Sequence, residues 1–128
     1  MRGEVKRWLE KAERDLCAAR KSHEFGEHEW ACFQAQQAAE KALKALDLKL
    51  SRHTVPTHDL VLLARRVALP AHLRAYCKQL TMLYSYTRYP DTPDIADIAA
   101  KTPQYMEYSG EILQWVKQRL SEPSSSNS

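Results

Sequence analysis

The chain has 128 residues, 44% of them hydrophobic and 27% charged, and a formal charge of +3 from 19 Lys and Arg against 16 Asp and Glu. This length fits one domain able to bury its own core, and the mild basic excess permits an RNA or nucleotide partner without the basic stripe of a dedicated nucleic-acid binder. Only three glycines occur, which disfavours turn-rich β structure; no apolar run reaches membrane-span length and the opening MRGEVKRW has no apolar signal core, so the reading is a cytoplasmic all-α domain.

The first helix is predicted from Gly3 to Ser22. Val5, Leu9, Ala12, Leu16 and Ala19 share one face, widened by Trp8, with Lys6, Arg7, Glu10, Glu13 and Arg14 opposite. Asp15 projects beside Trp8 at the border of the apolar face, where an acid needs a cationic or hydrogen-bonding partner. Past Phe25-Gly26, a second helix is predicted from Glu29 to Leu50. Its small residues recur at Ala31, Ala35, Ala38, Ala42 and Ala45, a stripe that lets neighbouring helices approach closely. Cys32, Ala39, Leu43, Leu46 and Leu50 make another buried stripe, so this helix is expected in the interior. Gln34, Gln37, Lys41 and Lys44 form a polar strip along it.

Ser51 to Pro56 reads as a linker. Thr57 is expected to cap a short third helix that begins His58-Asp59-Leu60, with Asp59 suited to the dipole of the first turn. Pro70 separates it from a fourth helix, Ala71 to Thr87, whose inner side is Leu73, Tyr76, Cys77, Leu80, Leu83 and Tyr84. Pro90 and Pro93 then open the loop TRYPDTPD. Asp94 is expected to cap a short helix ending near Lys101, and Thr102-Pro103 to start a final helix running to Leu120. The fold class is therefore all-α, an up-and-down bundle of four main helices plus short ones over residues 1–120. The SEPSSSNS segment, 121–128, is expected as a disordered tail, and the three cysteines as reduced, buried thiols.

Two groups of side chains carry candidate chemistry. Arg88 ends the fourth helix with Tyr84, Tyr86, Tyr89 and Asp91 around it. It either bonds the terminal carbonyls or presents its planar fork to a phosphate, with a tyrosine available for stacking; Asp91 would orient it or cap the following loop. Asp15, Gln37 and Lys41 face one another if the first two helices pair antiparallel. They form either a polar network that fixes register or a site in which Lys41 binds phosphate and Gln37 reads a base or ribose. No Glu-x-x-His pair, helical His pair or Gly-rich phosphate loop occurs, so no metal or cofactor is implied.

AERDLCAA in the first helix, FQAQQAAEKALKAL in the second, THDLVLLA at the third and YSYTRYPDTPD after the fourth resemble, in order and over about residues 5–120, the HEPN domain family. The resemblance implies a helical up-and-down bundle that often forms homodimers and is frequently encoded beside a minimal nucleotidyltransferase. Some relatives are metal-independent ribonucleases and others bind nucleotides. The ribonuclease relatives carry an Arg and a following His with four to six residues between them, near the fourth helix. Here Arg88 matches the arginine and no histidine follows it, which weighs against an enzyme. Arg52 with His58, and Arg65 or Arg66 with His72, meet the spacing only around the third helix and across a proline. The reading is thus a nucleotide- or RNA-binding module and nucleotidyltransferase partner in a toxin–antitoxin-like system, with ligand contacts from Arg88, Tyr89, Asp91, Tyr84, Lys41, Gln37 and Asp15. The alternatives are a ribonuclease using Arg88 and His58, and a purely structural helical dimer.

Overall fold

The alanine-rich second helix lies where its small-residue stripe and its second apolar stripe require, in contact with all four other helices. The computed structural model describes residues 3–91 and 95–122. They form α1 (Gly3–Glu24), α2 (His28–Ser51), α3 (Leu60–Arg66), α4 (Ala71–Arg88) and α5 (Ile98–Ser121). Ala31, Ala35, Ala38, Ala42 and Ala45 are all fully buried. Their short side chains leave the α2 backbone within reach of a neighbour, and Ser109 of α5 donates its hydroxyl to the Ala35 carbonyl at 2.7 Å. Val5, Ala12, Leu16 and Ala19 of α1, Leu73, Cys77, Leu80 and Leu83 of α4, and Ile112, Leu113 and Val116 of α5 complete the core. No described helix is long and apolar enough to cross a membrane.

The turns follow from local chemistry. Gly26 takes a left-handed conformation (φ 80°) and lets two amides close α1, Gly26 N–H to the His23 carbonyl at 3.0 Å and Glu27 N–H to the Ser22 carbonyl at 2.8 Å. At α3 the expected cap is displaced by two residues. Asp59, not Thr57, accepts from the amides of Val61 and Leu62, while the Thr57 hydroxyl accepts from the Asp59 amide at 3.1 Å. A carboxylate outcompetes a hydroxyl for the partial positive charge at a helix start. His58 therefore stands outside the helix and its side chain is not committed to α3.

Two helices expected after the proline-rich loop are one. α5 runs unbroken from Ile98, with Pro103 inside it. At its sixth position proline forfeits a single backbone bond, to the carbonyl of Ala99, and Ala99 is exposed to water. The Thr102 hydroxyl turns back to the Ile98 carbonyl at 2.6 Å rather than capping a new helix. The expected Asp94 cap, and the tail beyond 122, lie outside the described residues. Leu50 is 47% exposed, contrary to its place in the second α2 stripe. Ala45 and Leu48 pack on Val5 near the start of α1, and Leu50 belongs to neither apolar cluster among the described residues.

Cys32 and Cys77 are buried, whereas Cys17 is exposed and all three are free. Burial, reinforced by the negative field of Asp59, pushes the Cys77 thiol up to about 12 from an ordinary 9.0. Burial also raises Cys32, against the opposing hydrogen bond of Thr102 and with a smaller push from Glu29. Because folding raises these values, the associated stability is complete below the ordinary thiol range and is lost as pH climbs toward the folded value. At neutral pH an alkylating reagent should modify Cys17 alone in the native protein and all three thiols in urea, read by intact mass; rapid native labelling of Cys77 would contradict its burial.

Candidate functional site

Beside its two apolar stripes α2 carries four buried polar side chains, Gln36, Glu40, Lys44 and Asp47, at spacings of four, four and three that keep them on one face. Charged groups in this position need partners at full hydrogen-bond distance, and they have them. Glu40, with a side chain only 4% exposed, receives Lys44 Nζ at 3.1 Å on Oε2. Its Oε1 faces the His58 Nδ1 at 2.9 Å and the amides of Gln36 and Gln37 at 3.4 Å each. Gln36 also donates to the His58 carbonyl at 3.2 Å, so both the backbone and the ring of His58 are tied to α2. Lower on the stripe, Asp47 is paired with Arg66 Nε at 2.8 Å and accepts from Ser51 at 2.9 Å. α3 thus lies over the polar stripe with a basic group bonded to each acid from above.

The imidazole of His58 is half-exposed and stacks on Tyr84 of α4 with ring centroids 3.9 Å apart and planes inclined by 14°. The same tyrosine ring carries the Arg88 guanidinium, whose Cζ lies 5.4 Å from its centroid and 5.9 Å from that of Phe33. Phe33 meets Tyr84 at 5.8 Å and stacks on Trp30 at 5.3 Å. Gln34, oriented so that its amide nitrogen donates to Ser22 and to the Ala18 carbonyl, accepts from the Trp30 indole at 3.1 Å and steadies that ring. Arg88 has no carboxylate partner among the described residues. Its guanidinium is held by aromatic faces while its N–H groups remain available.

The arrangement unites some predicted residues and separates others. Arg88, Tyr84 and His58 come together, the last from a loop thirty residues earlier in the chain. Tyr89 is 51% exposed beside Arg88, and Asp91 is exposed and forms no ion pair among the described residues. Asp15 and Lys41 do meet, as an ion pair between α1 and α2. Gln37 turns away from them, donating to Gln36 at 2.7 Å and to Glu40. Lys41 is therefore engaged with an acid rather than open to a phosphate. Sequence reasoning misses Trp30, Phe33 and Glu40. The available signal is position: Phe33, Gln37, Glu40 and Lys44 fall on one line of the α2 surface beside the two apolar stripes. Among the described residues no group of three or more His, Cys, Asp or Glu side chains is placed to hold a metal ion.

A family model described as HEPN domain matches residues 5–119. Among solved structures, TT1696 from Thermus thermophilus is 31% identical and superposes with a TM-score of 0.82 over 91% of this chain and 98% of that one. ST0689, described as an archaeal HEPN homologue, is also 31% identical, with a TM-score of 0.78 over 94% of this chain and 100% of its own. The HEPN domain protein tm0613 from Thermotoga maritima, 22% identical, shares the fold with a TM-score of 0.75 over 91% and 99%. No curated protein matches the chain.

The buried and half-exposed ion pairs should separate cleanly on mutation. Glu40→Ala leaves Lys44 buried without its counter-charge and should cost roughly 3–5 kcal/mol. Asp15→Ala breaks a pair whose side chains are 25% and 23% exposed and should cost about 1 kcal/mol or less. Urea unfolding followed by circular dichroism reads both, and equal losses would refute the distinction.

Proposed function

The chain belongs to the HEPN domain family, and from that premise we propose that it is a nucleotide- or RNA-binding module. Its ligand site is centred on Arg88 and Tyr84, with Tyr89 and Asp91 at the rim. The observation that carries this reading is the Arg88 guanidinium laid over Tyr84 and Phe33 and left without an acid among the described residues. A planar cation anchored on aromatic rings offers parallel N–H donors to phosphate. The adjoining rings of Trp30 and Tyr89, both about half-exposed, supply faces on which a base can stack. Family resemblance supports the remaining parts of the proposal: a cytoplasmic homodimer that works with a small nucleotidyltransferase in a two-component, toxin–antitoxin-like system. Titration with AMP and with short RNA should saturate, and Arg88→Ala should weaken binding by about tenfold or more, the worth of a charge-assisted phosphate contact. Absence of saturable binding by either would remove the ligand assignment.

A specific contact favours a second reading, metal-independent RNA cleavage. With Nδ1 bonded to buried Glu40, His58 has its ring plane fixed and Nε2 directed away from the carboxylate, the orientation a general base needs. Arg88, on the same tyrosine, is the group to stabilise charge on a phosphate under attack by a ribose 2′-hydroxyl. End-labelled RNA incubated with the protein in chelator should then be cut, and cutting should fall by about a hundredfold or more in His58→Ala, the usual range for a lost acid–base group. Intact RNA with the folded wild-type protein would leave the binding role alone.

A further inference from the structure

α3 and α4 run antiparallel, with the Leu60 amide on the Thr81 hydroxyl at 3.0 Å at one end. Beside this contact and along the rest of α3 they form a groove of about 270 Å³ lined by Val61, Arg65, Ala71, Arg74, Ala75 and Lys78. Its three charged residues are all basic, and none forms an ion pair among the described residues. The acid of α3, Asp59, is occupied by the Val61 and Leu62 amides. At 3.6 residues per turn, Arg74, Lys78, Thr81, Ser85 and Arg88 fall within about 80° of one another around α4. Arg74 and Arg88 are separated by roughly 20 Å of helix at 1.5 Å per residue. Three cations that form no ion pair among the described residues thus stand at one end of this α4 line, and Arg88 with its aromatic rings at the other, with the start of α3 bonded to Thr81 between them.

We propose that this groove is a phosphate track, so that the ligand of the site is a single-stranded polynucleotide rather than a mononucleotide. The inference rests on the binding reading above and extends it. Cations spaced along a groove neutralise successive phosphates without reading sequence. An acidic peptide would satisfy the same charges but has no use for the Tyr84, Phe33 and Trp30 rings at the far end, which unstacked bases do. A duplex keeps its bases paired away from such rings.

The test compares AMP with a labelled oligoadenylate of about eight nucleotides, against wild type, Arg88→Ala and the double variant Arg74→Gln/Lys78→Gln. Both altered positions are exposed and glutamine is a good helix former, so the fold should hold, as circular dichroism will show. The oligomer should bind wild type more tightly than AMP does. The double variant should weaken oligomer binding roughly tenfold at low salt and reduce the slope of log K against log salt by about 1.4, or about 0.7 per lost contact, while AMP binding stays unchanged. An oligomer no tighter than AMP, or a double variant with the same affinity and slope, overturns the track and leaves the Arg88 site standing. Oligomer binding that depends on Arg74 and Lys78 but not on Arg88, with no AMP binding, instead removes the Arg88 site. Polyglutamate competing as well as the oligomer overturns the assignment to nucleic acid.

Discussion

A carboxylate that is 4% exposed has to collect its donors from the protein, because desolvation of an unpaired charge costs several kcal/mol. Glu40 collects four, from Gln36, Gln37, Lys44 and His58. Three are on its own helix, and the fourth must be brought in from elsewhere. That requirement places the loop before α3, since His58 can meet Glu40 only if it stays out of the helix. Asp59 then has to serve as the cap. Once α3 starts at Leu60, its other end delivers Arg66 to Asp47. The imidazole, held on one edge by Glu40, lies flat against Tyr84, and Tyr84 in turn supports Arg88. The contacts that close α3 over the bundle are also those that assemble the candidate site.

Buried ion pairs are weak evidence of stability for its own sake, because well-packed apolar side chains of similar volume often serve as well. Leucines at 36, 40, 44 and 47 would bury more apolar surface and need no partners. What the polar stripe supplies is position. Apolar packing tolerates small slides and rotations of α3, whereas two acids each bonded to a basic group from α3 or its leading loop admit only one placement. The price in desolvation therefore goes into the orientation of an imidazole and, through it, an aromatic platform.

Much of this fold is legible in sequence because it rests on local repetition. Alanines every three or four residues can only mean close helix packing, and Val5, Ala12, Leu16 and Ala19 identify the buried side of α1 without reference to anything else. Elements decided by competition are less legible. Thr57 and Asp59 are both good caps, and the stronger acceptor, together with the tie of the intervening His58 to Glu40, favours the second. Pro103 looks like a helix start until its neighbour Ala99 is seen to be solvent-exposed, which makes one missing bond cheap. For the site, Arg88 and Tyr84 are readable one turn apart on a single helix. Glu40 is not, since a glutamate among glutamines and lysines on an amphipathic helix resembles solvated surface until α3 covers it. The Asp15–Lys41 pair is visible in the pattern, but the departure of Gln37 from it depends on that same covered glutamate.

The absence of a histidine after Arg88 carries a different meaning once the fold is known. A spacing of four to six residues is one way to set an imidazole near a guanidinium, by placing both at the end of the same helix. A shared aromatic ring is another. Tyr84 receives His58 from the loop before α3 and Arg88 from one turn along α4, so tertiary packing brings both groups to one aromatic ring. The two solutions differ in what they hold rigid. A local motif fixes the separation along the chain and leaves the ring to rotate. The Glu40–His58–Tyr84 stack fixes the plane of the ring and its bonded nitrogen, and leaves the flexible stem of Arg88 to adjust over the aromatic surface.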